Sequence, residues 1–134
     1  MRPPKLFYFI AILIVVLDQL SKYFVKNYFH YTTNTGAAFG ILQEQTTFLI
    51  LVTLVILGVI FSYAHYHPIA LGFLFGGAIG NLLDRIFLGR VIDFIDVGFW
   101  PSFNIADSSN TLGVFLLLLI WMKETKECAN SKKP

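Results

Sequence analysis

Charge is the scarcest commodity in this chain. Asp, Glu, Lys and Arg together make up 13% of its 134 residues, where a soluble domain carries about a quarter. A net charge of +2, with no basic run interleaved with aromatics, gives no reason to expect a nucleic-acid partner. There is one cysteine, Cys128, so an intramolecular disulfide is excluded. His65 and His67 stand two apart with no third ligand near them in sequence, so no metal is expected. No Cys–His nucleophile arrangement exists. Internal repeats, low-complexity segments and linkers are missing too, which predicts one domain over residues 1–134. What remains is hydrocarbon: 56% hydrophobic residues and a mean hydropathy of +0.68. Such a chain calls for a low-dielectric solvent, so it is read as a membrane protein.

Four apolar runs, at about 6–25, 46–66, 69–88 and 105–122, each approach the roughly 20 residues that cross a bilayer as a helix. The first follows Arg2 and Lys5 as a secretory leader would. No small-residue cleavage pattern comes after it; Asp18, Lys22 and Lys26 do, so it is expected to be retained. Four spans put both termini on one side. The tails hold Arg2, Lys5, Lys123, Lys126, Lys132 and Lys133, against Lys22, Lys26, Arg85 and Arg90 on the other side. The count of six against four favours cytoplasmic termini. Between spans two and three, the link HYHP is short, and Pro68 suits the first helical position. The connection 27–45 is rich in threonine, aromatics and glycine, and reads as a small β-like element at the outer surface.

Ionisable groups in membrane segments cost about 2.5–3.5 kcal/mol at the bilayer centre, so those present need a reason. Asp18 and Lys22 are four apart on one helical face and can pair; this self-neutralising anchor competes with a role in supporting a nearby site. Gly72, Gly76 and Gly80 form a stripe for close helix approach. One turn on stand Asn81 and Arg85, with Asp84 between them in sequence. Arg85 is either a snorkelling anchor or a group that holds a carboxylate or a substrate carbonyl.

The stretch 91–107, VIDFIDVGFWPSFNIAD, carries three carboxylates between two apolar runs. Asp107 follows Asp93 by fourteen residues, a loop long enough to return to its starting side. Two carboxyls in one site share a proton, and so supply an acid and a base that activate water and protonate an amide leaving group. The plain structural explanation is that Asp107 serves helix-start N–H groups and Asp93 is solvated. Spacing alone leaves both open and keeps Asp96 as a competitor. Ser102, Ser108 and Ser109 lie near this loop, but the linking histidines fall at the opposite membrane face, which disfavours a Ser–His mechanism.

Taken together, DQLSK (18–22), NTGAAFG (34–40), GNLLDR (80–85), VIDF (91–94) and FNIAD (103–107) occur in an order, and on a set of four spans, that closely resembles the lipoprotein signal peptidases, or signal peptidase II, the aspartyl proteases of bacterial membranes. The resemblance covers about 6–122. It implies an all-α membrane fold with a small periplasmic β-like element between helices 1 and 2. It also implies removal of the signal peptide from diacylglyceryl-modified prolipoproteins, before the lipidated cysteine, by a water activated between two aspartates, without metal or cofactor. By motif the catalytic pair falls on Asp93 and Asp107. Asn34, Asn81, Arg85 and Asn104 match substrate-site residues; Asp18, Lys22, Gly36 and Asp84 match supporting ones. The partners implied are a lipidated prolipoprotein and membrane lipid, the state a monomer, and the location the bacterial cytoplasmic (inner) membrane with the site near the periplasmic face. Two departures stand out: the loop after Asp96 is trimmed, and Asn110 occupies a position where an apolar residue is expected. A small four-helix proton-coupled transporter is the alternative, and it is disfavoured because the acids gather at one face. A structural scaffold would leave the polar cluster unexplained.

Overall fold

A computed structural model of the chain describes residues 2–36 and 41–131. Residues 37–40 of NTGAAFG, and the tail residues Lys132 and Lys133 used in the charge count, lie outside them. Four helices carry the apolar runs: α1 (Lys5–Tyr28), α2 (Thr46–Tyr63), α3 (Pro68–Leu88) and α4 (Ile105–Ser131). All four are long and apolar enough to cross a membrane. Pro68 stands in the first turn of α3, where its missing N–H is no loss. Gly89 ends that helix at φ 70°, a left-handed conformation that glycine adopts without penalty. The helices outrun the apolar runs at α1, which continues to Tyr28, and at α4, which continues to Ser131. Hydropathy changes at the membrane boundary, whereas backbone hydrogen bonding continues past it.

α3 is the central helix. It packs against α1, α4 and α2 and is the most buried of the four. Small residues permit this. A methyl group added at Gly76 would stand 2.8 Å from the carbonyl oxygen of Ala11, and one at Gly72 would stand 3.2 Å from that of Phe7, so the stripe seats α1. On its other side, Gly77 faces Ala106 and Asn110 of α4, and Gly113 of α4 faces Ala70 and Leu74. At the far end of the helices, Phe7, Ile60, Ala64 and Leu71 close a small apolar core.

The β-like element is a two-stranded antiparallel sheet. Its first strand, β1 (Thr32–Asn34), lies between α1 and α2 as expected; its partner, β2 (Val91–Asp93), comes from the connection after α3. The register pairs Thr32 with Asp93 and Asn34 with Val91. Sequence distance hides such a pairing, because the two strands are three residues each and two helices apart. Beyond β2, Ile95 and Phe103 bridge with N–O distances of 2.9 and 3.0 Å. That bridge pinches off the intervening loop and returns the chain to the start of α4.

Candidate active site

Asn104 caps α4. Its Oδ1 accepts the Asp107 N–H at 2.8 Å, and Asp107 Oδ2 accepts the Asn104 N–H at 3.3 Å, a reciprocal capping box spaced Asn-x-x-Asp. Helix-start duty is therefore one of Asp107's roles. It is not the only one, because its other oxygen, Oδ1, accepts from Asn81 Nδ2 at 2.8 Å.

The same Asn104 side chain reaches Asp93. Its Nδ2 donates to Asp93 Oδ1 at 2.7 Å, and also approaches Asn81 Oδ1 at 3.0 Å and the Ile92 carbonyl at 3.2 Å. Asn104 is 0% exposed, and through its two amide atoms it ties β2 to the start of α4. Asp93 is buried rather than solvated. Burial pushes its pKa up from 3.8 to about 6, and the like charge of Asp107 pushes the same way; hydrogen bonds from Asn104 and Asn34 and the charge of Lys22 oppose the rise. Asn34 Oδ1 accepts the Gly36 N–H at 2.8 Å. That contact leaves the Asn34 amide nitrogen to serve Asp93.

Beneath this layer lies a buried ionic cluster. Lys22 Nζ sits 2.7 Å from Asp18 Oδ2 and 2.9 Å from Asp84 Oδ2, and donates to Asn81 Oδ1 at 3.2 Å. Asn81 Oδ1 thus accepts from both Lys22 and Asn104, which turns its Nδ2 towards Asp107. Asp18 Oδ1 accepts the Ala106 N–H at 2.9 Å, next to Asp107 in sequence. Asp84 Oδ2 accepts the Ile92 N–H at 3.1 Å, next to Asp93. The expected Asp18–Lys22 pair is present, and the third member, Asp84, comes from α3. Spacing within α1 did not reveal Gln19, whose Nε2 lies 3.2 Å from Asp18 Oδ2, 3.1 Å from Asp84 Oδ1 and 3.1 Å from the Gly80 carbonyl. It sits one residue from Asp18, off the i, i+4 face, so no local pattern points to it.

An open cavity of about 890 Å³ lies over these groups, lined by Asn34, Asn81, Arg85, Asp93 and Asp107, among others. Five of the residues singled out from sequence thus share one surface, with Asn104 directly behind it. Arg85 donates from an Nη to the Gly36 carbonyl at 3.0 Å, and its buried Nε has no partner among the described residues. Asp96 is elsewhere: it is exposed, and its Oδ1 accepts the Gly98 N–H at 2.8 Å in a turn that holds Gly98 at φ 82°. Ser108 and Thr111 line the cavity, but each hydroxyl donates to a backbone carbonyl four residues back in α4.

Four membrane-length helices around a glycine-rich centre, with buried carboxylates and amides gathered under a cavity at one end, define a small multi-pass membrane protein. The comparisons narrow the class. Residues 10–123 match the family described as "Signal peptidase (SPase) II", and the chain belongs to that family, which makes it a peptidase. A lipoprotein signal peptidase of Shouchella clausii is 44% identical over 135 positions, covering 84% of this chain and 89% of that protein. One of Halothermothrix orenii is 36% identical over 139 positions, covering 87% and 96%. A solved structure titled as a bacterial membrane enzyme at 2.3 Å superposes with a TM-score of 0.85 at 33% identity, covering 95% of this chain and 91% of its own. A second, at 1.9 Å, gives 0.78 at 33% identity, covering 87% and 92%.

Proposed function

We propose that the chain is an aspartic endopeptidase that removes signal peptides from diacylglyceryl-modified prolipoproteins, cutting before the lipidated cysteine. One observation carries the reading: Asp93 and Asp107 line one cavity and are joined through Asn104 and Asn81. Asp107 accepts hydrogen bonds on both oxygens, and Asp93 has its pKa raised to about 6 by burial and by the charge of Asp107; the reading gives the shared proton to Asp93. Asp107 takes a proton from water as the hydroxyl oxygen attacks the scissile carbonyl. Asp93 protonates the developing oxyanion. Asp107 then passes its new proton to the amide nitrogen as the C–N bond breaks, while Asp93 takes back a proton from a hydroxyl of the diol as the C=O bond re-forms. This leaves a carboxylic acid on the signal peptide, an amine on the cysteine and the dyad in its starting state.

Asn34, Asn81 and Arg85 line the cavity, and Asn104 holds the dyad from behind. An unwound substrate segment at a lipid-facing groove exposes backbone polar groups that need partners, and the polar side chains of the cavity lining, Arg85 among them, are there to offer them. Asp18, Lys22, Asp84 and Gly36 support these groups from outside the cavity. The termini face the cytoplasm and the site faces the periplasm of a bacterial inner membrane. Lys22 is neutralised in the buried cluster and Arg85 is turned inward, so of the four cations on the site's side only Lys26 and Arg90 remain to oppose the tails. The unit acts as one domain and as a monomer within the lipid.

The test is cleavage of a prolipoprotein, with and without its diacylglyceryl group, by the purified chain. Hydrolysis of the lipidated form alone is expected. Turnover of neither form would return the proton-coupled transporter to consideration.

A further inference from the structure

Ser108, Ser109, Asn110 and Thr111 place four polar side chains in the early turns of a membrane helix. Three are committed within the protein. Ser108 and Thr111 donate to the carbonyls of Asn104 and Asp107, both at 3.0 Å, and Ser109 donates across to the Phe73 carbonyl of α3 at 2.7 Å. Asn110 has no hydrogen-bond partner among the described residues. It is half-buried and lines the same cavity as Asp93 and Asp107. Along α4 it is the last amide before the wall turns apolar at Leu112 and Phe115.

The opposite helix makes room for it. A Cβ at Gly77 would collide with Asn110 Oδ1 and with the Ala106 carbonyl. Glycine at 77 thus gives the amide its niche, and Asn81, the amide one turn along α3, has its hydrogen bonds with Asp107, Asn104 and Lys22. A polar group at lipid depth that its own bundle does not satisfy, facing a cavity, is placed to meet a ligand. The neighbouring hydroxyls have spent their only protons on backbone carbonyls, whereas an amide nitrogen offers two.

We propose that Asn110 is a substrate-binding residue that donates a hydrogen bond to a carbonyl oxygen of the substrate, one helical turn inward from the dyad. This rests on the peptidase reading above. Three residues of helix place Asn110 about 4.5 Å deeper than Asp107. Two substrate groups present a carbonyl at that depth: the peptide backbone on the signal-peptide side of the scissile bond, and the ester of the diacylglyceryl group.

The experiment measures kcat and KM of the full chain on a lipidated prolipoprotein, for the wild type, Asn110→Leu and Asn110→Ala. Both variants should raise KM by about 10-fold, the effect of one hydrogen bond of ordinary strength, with kcat and Tm unchanged. Alanine has no atoms to press on Gly77, so its result is free of overpacking. A substrate with ether-linked chains separates the two sources: a penalty that persists assigns the carbonyl to the peptide, and one that vanishes assigns it to the ester. Unchanged KM in both variants overturns the assignment of Asn110. A wild-type chain that leaves lipidated substrate uncut instead removes the peptidase reading on which it rests.

Discussion

Asn104 touches both aspartates, and its place between them explains why two acids can be held together in so apolar a chain. Asp93 and Asp107 differ in surroundings, and that difference gives each a separate prediction. Asp93→Asn and Asp107→Asn should each lower kcat for prolipoprotein cleavage by at least about 100-fold, the usual scale for losing a general acid or base. Asp96→Asn should leave kcat within about twofold, since Asp96 only closes an exposed turn. An inactive Asp96 variant that is still folded would move the dyad. Stability gives an independent check. The Asp93 pKa is raised from 3.8 to about 6, so the folded protein binds that proton more tightly than the unfolded chain does. The stabilisation from protonation is complete below about pH 4 and is lost as pH rises through about 6. Wild type should therefore lose Tm between pH 5 and pH 7 relative to Asp93→Asn, and a constant difference across that range would contradict the buried, proton-holding carboxyl.

At the scale of elements, the ionic cluster and the glycine stripe do different work. Lys22 is 3% exposed between Asp18 at 0% and Asp84 at 3%. Removing it as Lys22→Met leaves two buried carboxylates without their cation, a loss of about 3–5 kcal/mol by analogy with other broken buried pairs. The same change removes one of the two donors to Asn81 Oδ1 and leaves only Asn104, so whatever folded enzyme remains should also have a lower kcat. Gly76→Ala brings a methyl against the Ala11 carbonyl; overpacking of this kind costs about 1–3 kcal/mol, and thermal unfolding in detergent should show it with no change in the pH profile of cleavage. A helix-start role for Asp107 was legible from its place at the head of the last apolar run, without Asn104 as its reciprocal partner. The β1–β2 pairing was not, because neither three-residue strand carries a pattern long enough to mark it.

For the whole molecule, the polar groups of α1, α3 and α4 converge at one end, while the opposite end is closed by Phe7, Ile60, Ala64 and Leu71. This asymmetry suits a substrate that is itself held in a membrane, with only its cleavage segment needing polar partners. Orientation can be read from the protein's single cysteine. Cys128 is exposed on the C-terminal part of α4, so an impermeant maleimide added to intact spheroplasts should fail to label it until detergent is added. In a Cys128→Ser background, Phe99→Cys on the loop beside the site should label at once. The reverse pattern would invert the topology.

Composition, helix periodicity and ordered polar motifs determined four spans, their small-residue stripe and the aspartates worth attention, because each is a local property: apolar length, 3.6-residue spacing, or a charge where charge is costly. The sequence equally raised the two explanations for Asp107, helix cap or active carboxyl, and could not choose. Tertiary structure decided that Asp107 caps with one oxygen while the other meets Asn81, that Asp84 completes the Asp18–Lys22 pair, that Gln19 joins them, and that β1 finds its partner after α3. Those facts depend on contacts between segments as many as 88 residues apart, as between Asp18 and Ala106. No window along the chain contains them, because the geometry arises only when the glycines of α3 let α1 and α4 close on either side.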